Sequence, residues 1–238
     1  MFFPYNYSFS YIYLIIPPMI LAMYAQFKIN STFNKYSNYS NSRNLTAAEV
    51  AKQLLNASGI YDVSIERVSG RLTDHYNPST KTLRLSTSVY GSTSISAIGV
   101  AAHEVGHAIQ HETGYSFLTL RSAMVPVTNF SSNLSMPLIF LGVLIGGLSG
   151  SSFGYTIIQF GIILFSVAVI FSLITLPVEF DASKRAIEGL GLYNFLNDEE
   201  IIPAKKVLNA AALTYVAAAI VSIANLLRLV LIYGNRDE

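Results

Sequence analysis

Ala101-Ala102-His103-Glu104-Val105-Gly106-His107-Ala108 is the stretch on which the reading of this chain turns. It contains H-E-x-x-H in a segment that should be a helix from Ser94 to Glu112, closing before Gly114. Residues four apart share one helical face, so His103 and His107 can point at a single metal ion. Glu104 then stands where a carboxylate can take a proton from a water activated by that metal. Zinc is the usual occupant of such a site, with the glutamate as general base. The competing reading of two histidines at this spacing is a solvated helix face. Glu104 and the apolar, alanine-rich surroundings favour the metal. Ile95, Ile98, Ala102, Val105 and Ile109 fall on one side of the helix, and His103, His107 and His111 on roughly the other. His111 continues the histidine stripe, but it lies ~12 Å along the axis from His103, too far to share one tetrahedral zinc.

A third ligand must come from elsewhere. The chain has no cysteine, so the donors are restricted to His, Asp and Glu. His75 lies in an expected hairpin, where a surface role suits it best. Glu179 lies in Leu176-Pro177-Val178-Glu179-Phe180-Asp181-Ala182-Ser183-Lys184-Arg185. Proline favours a helix start, which would put Glu179 in a first turn. There it either completes a His2Glu set with one open position or simply caps the helix, while Asp181 and Arg185 pair at i,i+4. Spacing leaves both readings open.

Beyond these segments the composition is that of a membrane protein. Only 12% of the 238 residues are charged and 52% are hydrophobic, against about a quarter charged in soluble domains. A net charge of +1 gives no case for nucleic-acid binding. Four stretches approach the roughly 20 apolar residues needed to cross a bilayer. They are residues 10–27, with Pro17-Pro18 expected to kink the middle, then 126–148, 153–176 and 207–233. The first reads as an uncleaved anchor, because no Lys or Arg precedes it. Ser149-Gly150-Ser151-Ser152 joins the second and third as a hairpin. Gly142, Gly146 and Gly150 repeat at four-residue spacing, either by chance or to let another helix approach closely.

Two polar regions remain, residues 29–125 and 177–206. The first should be a catalytic α+β domain. Thr46-Ala47-Ala48-Glu49 opens a helix that Gly59 closes, Val63-Ser64-Ile65 reads as a strand, and Leu72–Tyr76 and Lys81–Leu85 flank a turn. The second should be a helical segment carrying Glu179. A hairpin between spans two and three puts both regions on one side of the membrane. Nine of the fifteen Lys and Arg residues lie from Lys28 to Arg121 and four lie in 177–206, so that side reads as cytoplasmic.

At these residues the chain resembles the YugP-type neutral zinc metallopeptidases of bacterial membranes. The resemblance rests on Met1-Phe2-Phe3-Pro4, Tyr24-Ala25-Gln26-Phe27-Lys28, Leu72-Thr73-Asp74-His75-Tyr76, the stretch from Ala101 to Ala108, Leu176 to Ser183, and Lys206-Val207-Leu208-Asn209-Ala210-Ala211. More loosely, the order of parts is similar to that of HtpX and CAAX-processing peptidases. Those enzymes bind zinc through a glutamate on a helix after a membrane hairpin. The likeness implies an α-helical, multi-pass protein of the bacterial cell membrane with a small zincin-like, gluzincin-type domain. It also implies one zinc per chain, with His103, His107 and Glu179 as ligands and Glu104 as catalytic base. In those relatives an aspartate follows the glutamate at i+4. Here Ser183 holds that place and the acid is Asp181 at i+2.

The expected activity is therefore zinc-dependent endopeptidase action on membrane or membrane-proximal proteins. His75, Tyr76 and Arg185 are candidate donors to the transition state, and Asp181 a candidate support for a metal-held histidine. The expected partners are the lipid bilayer and a protein or peptide substrate. Two other functions fit the same residues: a zinc hydrolase acting on a lipid or small amide, and a metal-stabilised membrane scaffold without turnover.

Overall fold

The computed structural model describes residues 11–149 and 151–234. Met1-Phe2-Phe3-Pro4, the expected span start at Ser10, and Gly150 lie outside the described residues. Secondary structure is mostly helical, with one small sheet. After a 3-10 turn at Tyr11–Leu14, the helices are α1 (Ile16–Tyr36), α2 (Ala47–Ala57), α3 (Ile95–Glu112), α4 (Ser116–Ser149), α5 (Ser152–Leu192) and α6 (Asp198–Tyr233). The strands β1 (Ser64–Val68), β2 (His75–Asn77) and β3 (Thr82–Ser86) fall between α2 and α3. Four helices are long and apolar enough to cross a membrane, namely α1 with its preceding turn, α4, α5 and α6.

Two expectations about proline are corrected. Pro17 and Pro18 occupy the first turn of α1 rather than the middle of a span. Their missing N–H groups are needed least there, because first-turn amides have no partner within the helix. Pro177 does the opposite and lies inside α5 instead of opening a new helix. Residues 177–192 thus continue the apolar helix. The fully buried stripe Val178, Ala182, Ala186 and Leu190 recurs every four residues and supplies packing that outweighs the lost backbone hydrogen bond.

The chain divides into two compact units. One comprises Met1–Tyr24, Leu120–Thr175 and Tyr215–Glu238. Its interior is a cluster of Ile139, Ile158, Ile162 and Leu229. Gly142 and Gly146 of α4 meet Gly154 of α5 so closely that a Cβ on Gly142 would lie 2.6 Å from the Gly154 carbonyl oxygen. Of the three glycines expected at four-residue spacing, Gly142 and Gly146 stand at this close approach. Two polar side chains in this unit reach backbone partners: the Gln159 amide donates to the Tyr233 carbonyl at 2.7 Å and the Tyr155 hydroxyl to that of Gly234 at 3.2 Å. Phe130, Phe140 and Ile163 are 60–66% exposed. That outward apolar surface suits lipid, not water.

The other unit comprises Ala25–Thr119 and Leu176–Thr214. Its sheet has the order β1-β3-β2, with β1 parallel and β2 antiparallel to β3. Asn77 Oδ1 accepts from the Ser79 amide at 2.9 Å, and Lys81 takes φ +48°, which together turn the chain from β2 into β3. Thr46 and Glu49 form a full capping box on α2. Leu54 and Leu55 of α2, Leu83 and Leu85 of β3, and Ile98, Ala101 and Val105 of α3 build one core with Leu190 and Val207. Thirteen of the eighteen residues of α3 are buried, and only His111 and Glu112 at its end are exposed. A helix buried all round is held by its neighbours, not by an amphipathic stripe.

Candidate metal centre

The residues of the site come from α3 and from α5 beyond Pro177. Gly106 explains how the two helices meet. A Cβ there would overlap the Ala182 carbonyl oxygen and lie 3.0 Å from the carbonyl carbon. Only glycine lets the α3 backbone come this close to α5, and that approach brings Glu179 over the histidines.

Glu179 is 2% exposed, with its Oε2 3.2 Å from His103 Nε2 and 3.6 Å from His107 Nε2. The two rings stand edge to face at 82°, with centroids 4.8 Å apart. Among the described residues, His103, His107 and Glu179 form the cluster of ligand-type atoms that could hold a metal, all within 4.8 Å of one another. Zinc bonds of ~2.0–2.1 Å in a tetrahedron place ligand atoms roughly 3.3 Å apart, so the spacing and the donor chemistry both fit zinc.

The remaining ring nitrogens are occupied. His103 Nδ1 lies 3.1 Å from Ser183 Oγ, and His107 Nδ1 3.0 Å from Gln110 Oε1. Gln110 is fully buried, and its amide nitrogen donates to the Val178 carbonyl and to Asp181 Oδ2, both at 2.8 Å. Those partners only accept, so the NH2 group must face them and Oε1 must face His107. In its neutral form His107 therefore carries its proton on Nδ1, which leaves Nε2, on the side of Glu179, open to a metal; in the protonated ring Nε2–H donates to Glu179 instead. Asp181 is held in turn by Arg185 Nε at 2.6 Å. Arg185 also reaches Thr113 Oγ1 and lies over the Tyr115 ring. Asp181 thus supports His107 through Gln110, while Ser183 stands at His103.

Glu104 is 8% exposed. Burial alone would lower the pKa of His107. The Glu179 hydrogen bond, the Glu104 charge and Gln110 outweigh it, and the pKa is raised. Asp74 is also raised, by burial against its hydrogen bonds from the Ser86 amide and hydroxyl, with Glu104 adding a like charge.

The other expected residues lie apart from this cluster. His75 is exposed on β2, its Nδ1 2.9 Å from the Thr73 carbonyl. Tyr76 and His111 hold each other, hydroxyl to Nδ1 at 2.9 Å. Burial, with Asp62 and Glu112 nearby, pushes the tyrosine pKa up to about 12, so at neutral pH the hydroxyl keeps its proton. Sequence reading missed Gln110 and Ser183. Gln110 could have been found as the polar residue at i+3 from His107 on an otherwise apolar helix.

Comparison with known proteins agrees with this chemistry. Residues 11–234 match the family described as "putative neutral zinc metallopeptidase". The chain is 51% identical over 230 residues to a Bacillus subtilis (strain 168) protein named "Putative membrane protease YugP", covering 96% of this chain and 99% of the relative. No solved structure matches it. With nearly its whole length matched, the chain belongs to the family so described.

Proposed function

We propose that the protein is a zinc-dependent endopeptidase embedded in the bacterial cell membrane, acting on membrane or membrane-proximal proteins. The observation that carries this reading is the convergence of both histidine Nε2 atoms on Glu179 Oε2, beside Glu104. His103, His107 and Glu179 would hold one zinc per chain. When bound, zinc supplies Lewis acidity that brings the pKa of water down to about 7. Glu104 takes the proton from the attacking water on its carboxylate and returns it to the departing amide nitrogen. Gln110 and Ser183 keep the two imidazoles turned with Nε2 inward. The pairing of an H-E-x-x-H helix with a small sheet supports a zincin-like, gluzincin-type domain. Its β2 lies at a sheet edge, where an extended peptide can pair with free backbone groups. The Lys and Arg distribution supports a cytoplasmic active site.

The test is cleavage of a reconstituted membrane substrate by the purified full chain, with products read as new amino termini. Chelation should abolish cleavage and zinc restore it. The same preparation should bind zinc more weakly as pH falls, starting above the ordinary histidine value of 6.5, because the metal must displace a proton that His107 holds more tightly than a free imidazole does. A preparation with one zinc per chain and no cleavage of any peptide bond would overturn the peptidase reading and favour a scaffold.

Gln110→Leu keeps the volume but removes all three contacts. Support of this kind around a ligating histidine changes metal affinity by about 10–100-fold. Zinc affinity measured by chelator competition should fall by that factor. No change would show that His107 is oriented without Gln110.

A further inference from the structure

A groove of about 460 Å³ lies between α1 and α6 in the same unit as the metal centre but is lined by other residues. Lys28, Thr32, Lys35 and Tyr36 line it from α1 at i, i+4, i+7 and i+8. Lys206 and Asn209 face it from α6, over an apolar floor of Ala210 and Leu213. Every polar side chain on its wall can donate a hydrogen bond, and no carboxylate lines it. None of the three lysines has an ion pair among the described residues, whereas Lys81 and Lys184 are paired with Asp62 and Glu188. Three like charges around one cavity repel each other until an anion joins them.

Position along the helices indicates which anion. Phe27, 70% exposed, closes the apolar run of α1 and Lys28 follows at once. On α6, Lys205 and Lys206 directly precede Val207, after which no charge occurs until Arg228. Both sets of lysines therefore stand at the water end of a membrane-length apolar run, at the depth of lipid headgroups. The groove is several times larger than a phosphate ion and keeps an apolar side. We propose that it binds the phosphate of an anionic lipid headgroup.

The test uses delipidated full-length protein in detergent, with bound lipid counted by native mass spectrometry. Phosphatidylglycerol should bind at least roughly tenfold more tightly than phosphatidylcholine, as basic headgroup pockets do. Lys28→Gln/Lys35→Gln/Lys206→Gln should erase that preference. Lys52→Gln/Lys81→Gln/Lys184→Gln, which removes the same charge elsewhere, should keep it. Lys81 is half-buried and the other five lysines are exposed, and surface ion pairs such as those of Lys81 and Lys184 add little stability, so melting of both variants without lipid should stay close to the wild type. Lys206→Gln alone should give an intermediate loss. Unchanged phosphatidylglycerol binding by the groove variant, or equal binding of phosphatidylcholine, overturns the proposal. Displacement of the lipid by millimolar inorganic phosphate would reject the lipid as its source and assign the groove to a soluble phosphate compound.

Discussion

Glu104→Gln should leave zinc in place and lower turnover by about 10²–10⁴, the range supplied by a positioned acid–base group. Glutamine keeps the shape of the buried side chain, so packing in α3 is preserved. It removes the one property the proposed reaction needs at this position, a carboxylate that can gain and release a proton. It does not touch the three atoms that converge at the cluster. Metal content and kcat should therefore separate. Glu179→Ala provides the contrast, since it should lose metal and activity together. If Glu104→Gln cleaved a membrane substrate at the wild-type rate, Glu104 would not be the base. If it lost zinc as Glu179→Ala does, its role would be to hold the site together.

Gly106→Ala should be nearly as damaging, although the change lies outside the cluster. Alanine is the better helix former by about 1 kcal/mol, so an isolated α3 would gain from it. In the folded chain the new Cβ overlaps the Ala182 carbonyl, and backbone cannot swing aside as a flexible side chain could. Forced overpacking of this kind costs typically ~1–3 kcal/mol. The relief open to the protein is to part α3 from α5, which draws Glu179 away from His103 and His107. Melting temperature and zinc affinity should fall together. Gly99 on the same helix is the control: a Cβ there meets Ala204 at 3.7 Å, an ordinary contact. Gly99→Ala should be neutral or slightly stabilising, and similar losses in both variants would refute the role given to the Gly106 contact.

How much of this was legible depends on how local each signal is. His103, Glu104 and His107 share one helix, so spacing alone set their relation. Glu179 belongs to a distant segment, and the likeness to known peptidases carried it where spacing left two readings. Pro177 misled because proline is a local stop signal, whereas the buried run Val178, Ala182, Ala186 and Leu190 that carries α5 onward acts through tertiary packing. The displaced acid could not be resolved from sequence either. Asp181 at i+2 is out of place for a histidine on the adjacent helix. Gln110 spans the gap, and only the folded arrangement puts an amide between the two. The order of strands was equally hidden, since the antiparallel β2–β3 pair is local but the parallel β1–β3 pair needs a crossover.

The separation of 76 residues between His103 and Glu179 has a consequence in time. A chain is made from its amino end at roughly 5–20 residues per second, and its parts fold as they emerge. The α3 histidines are finished seconds before α5 exists. Until then the nascent protein carries two imidazoles and a carboxylate with nothing to close the set. The proposed hydrolytic centre, split in this way, stays inert while the chain is still being made, and its ligand set closes only once α5 has packed on α3.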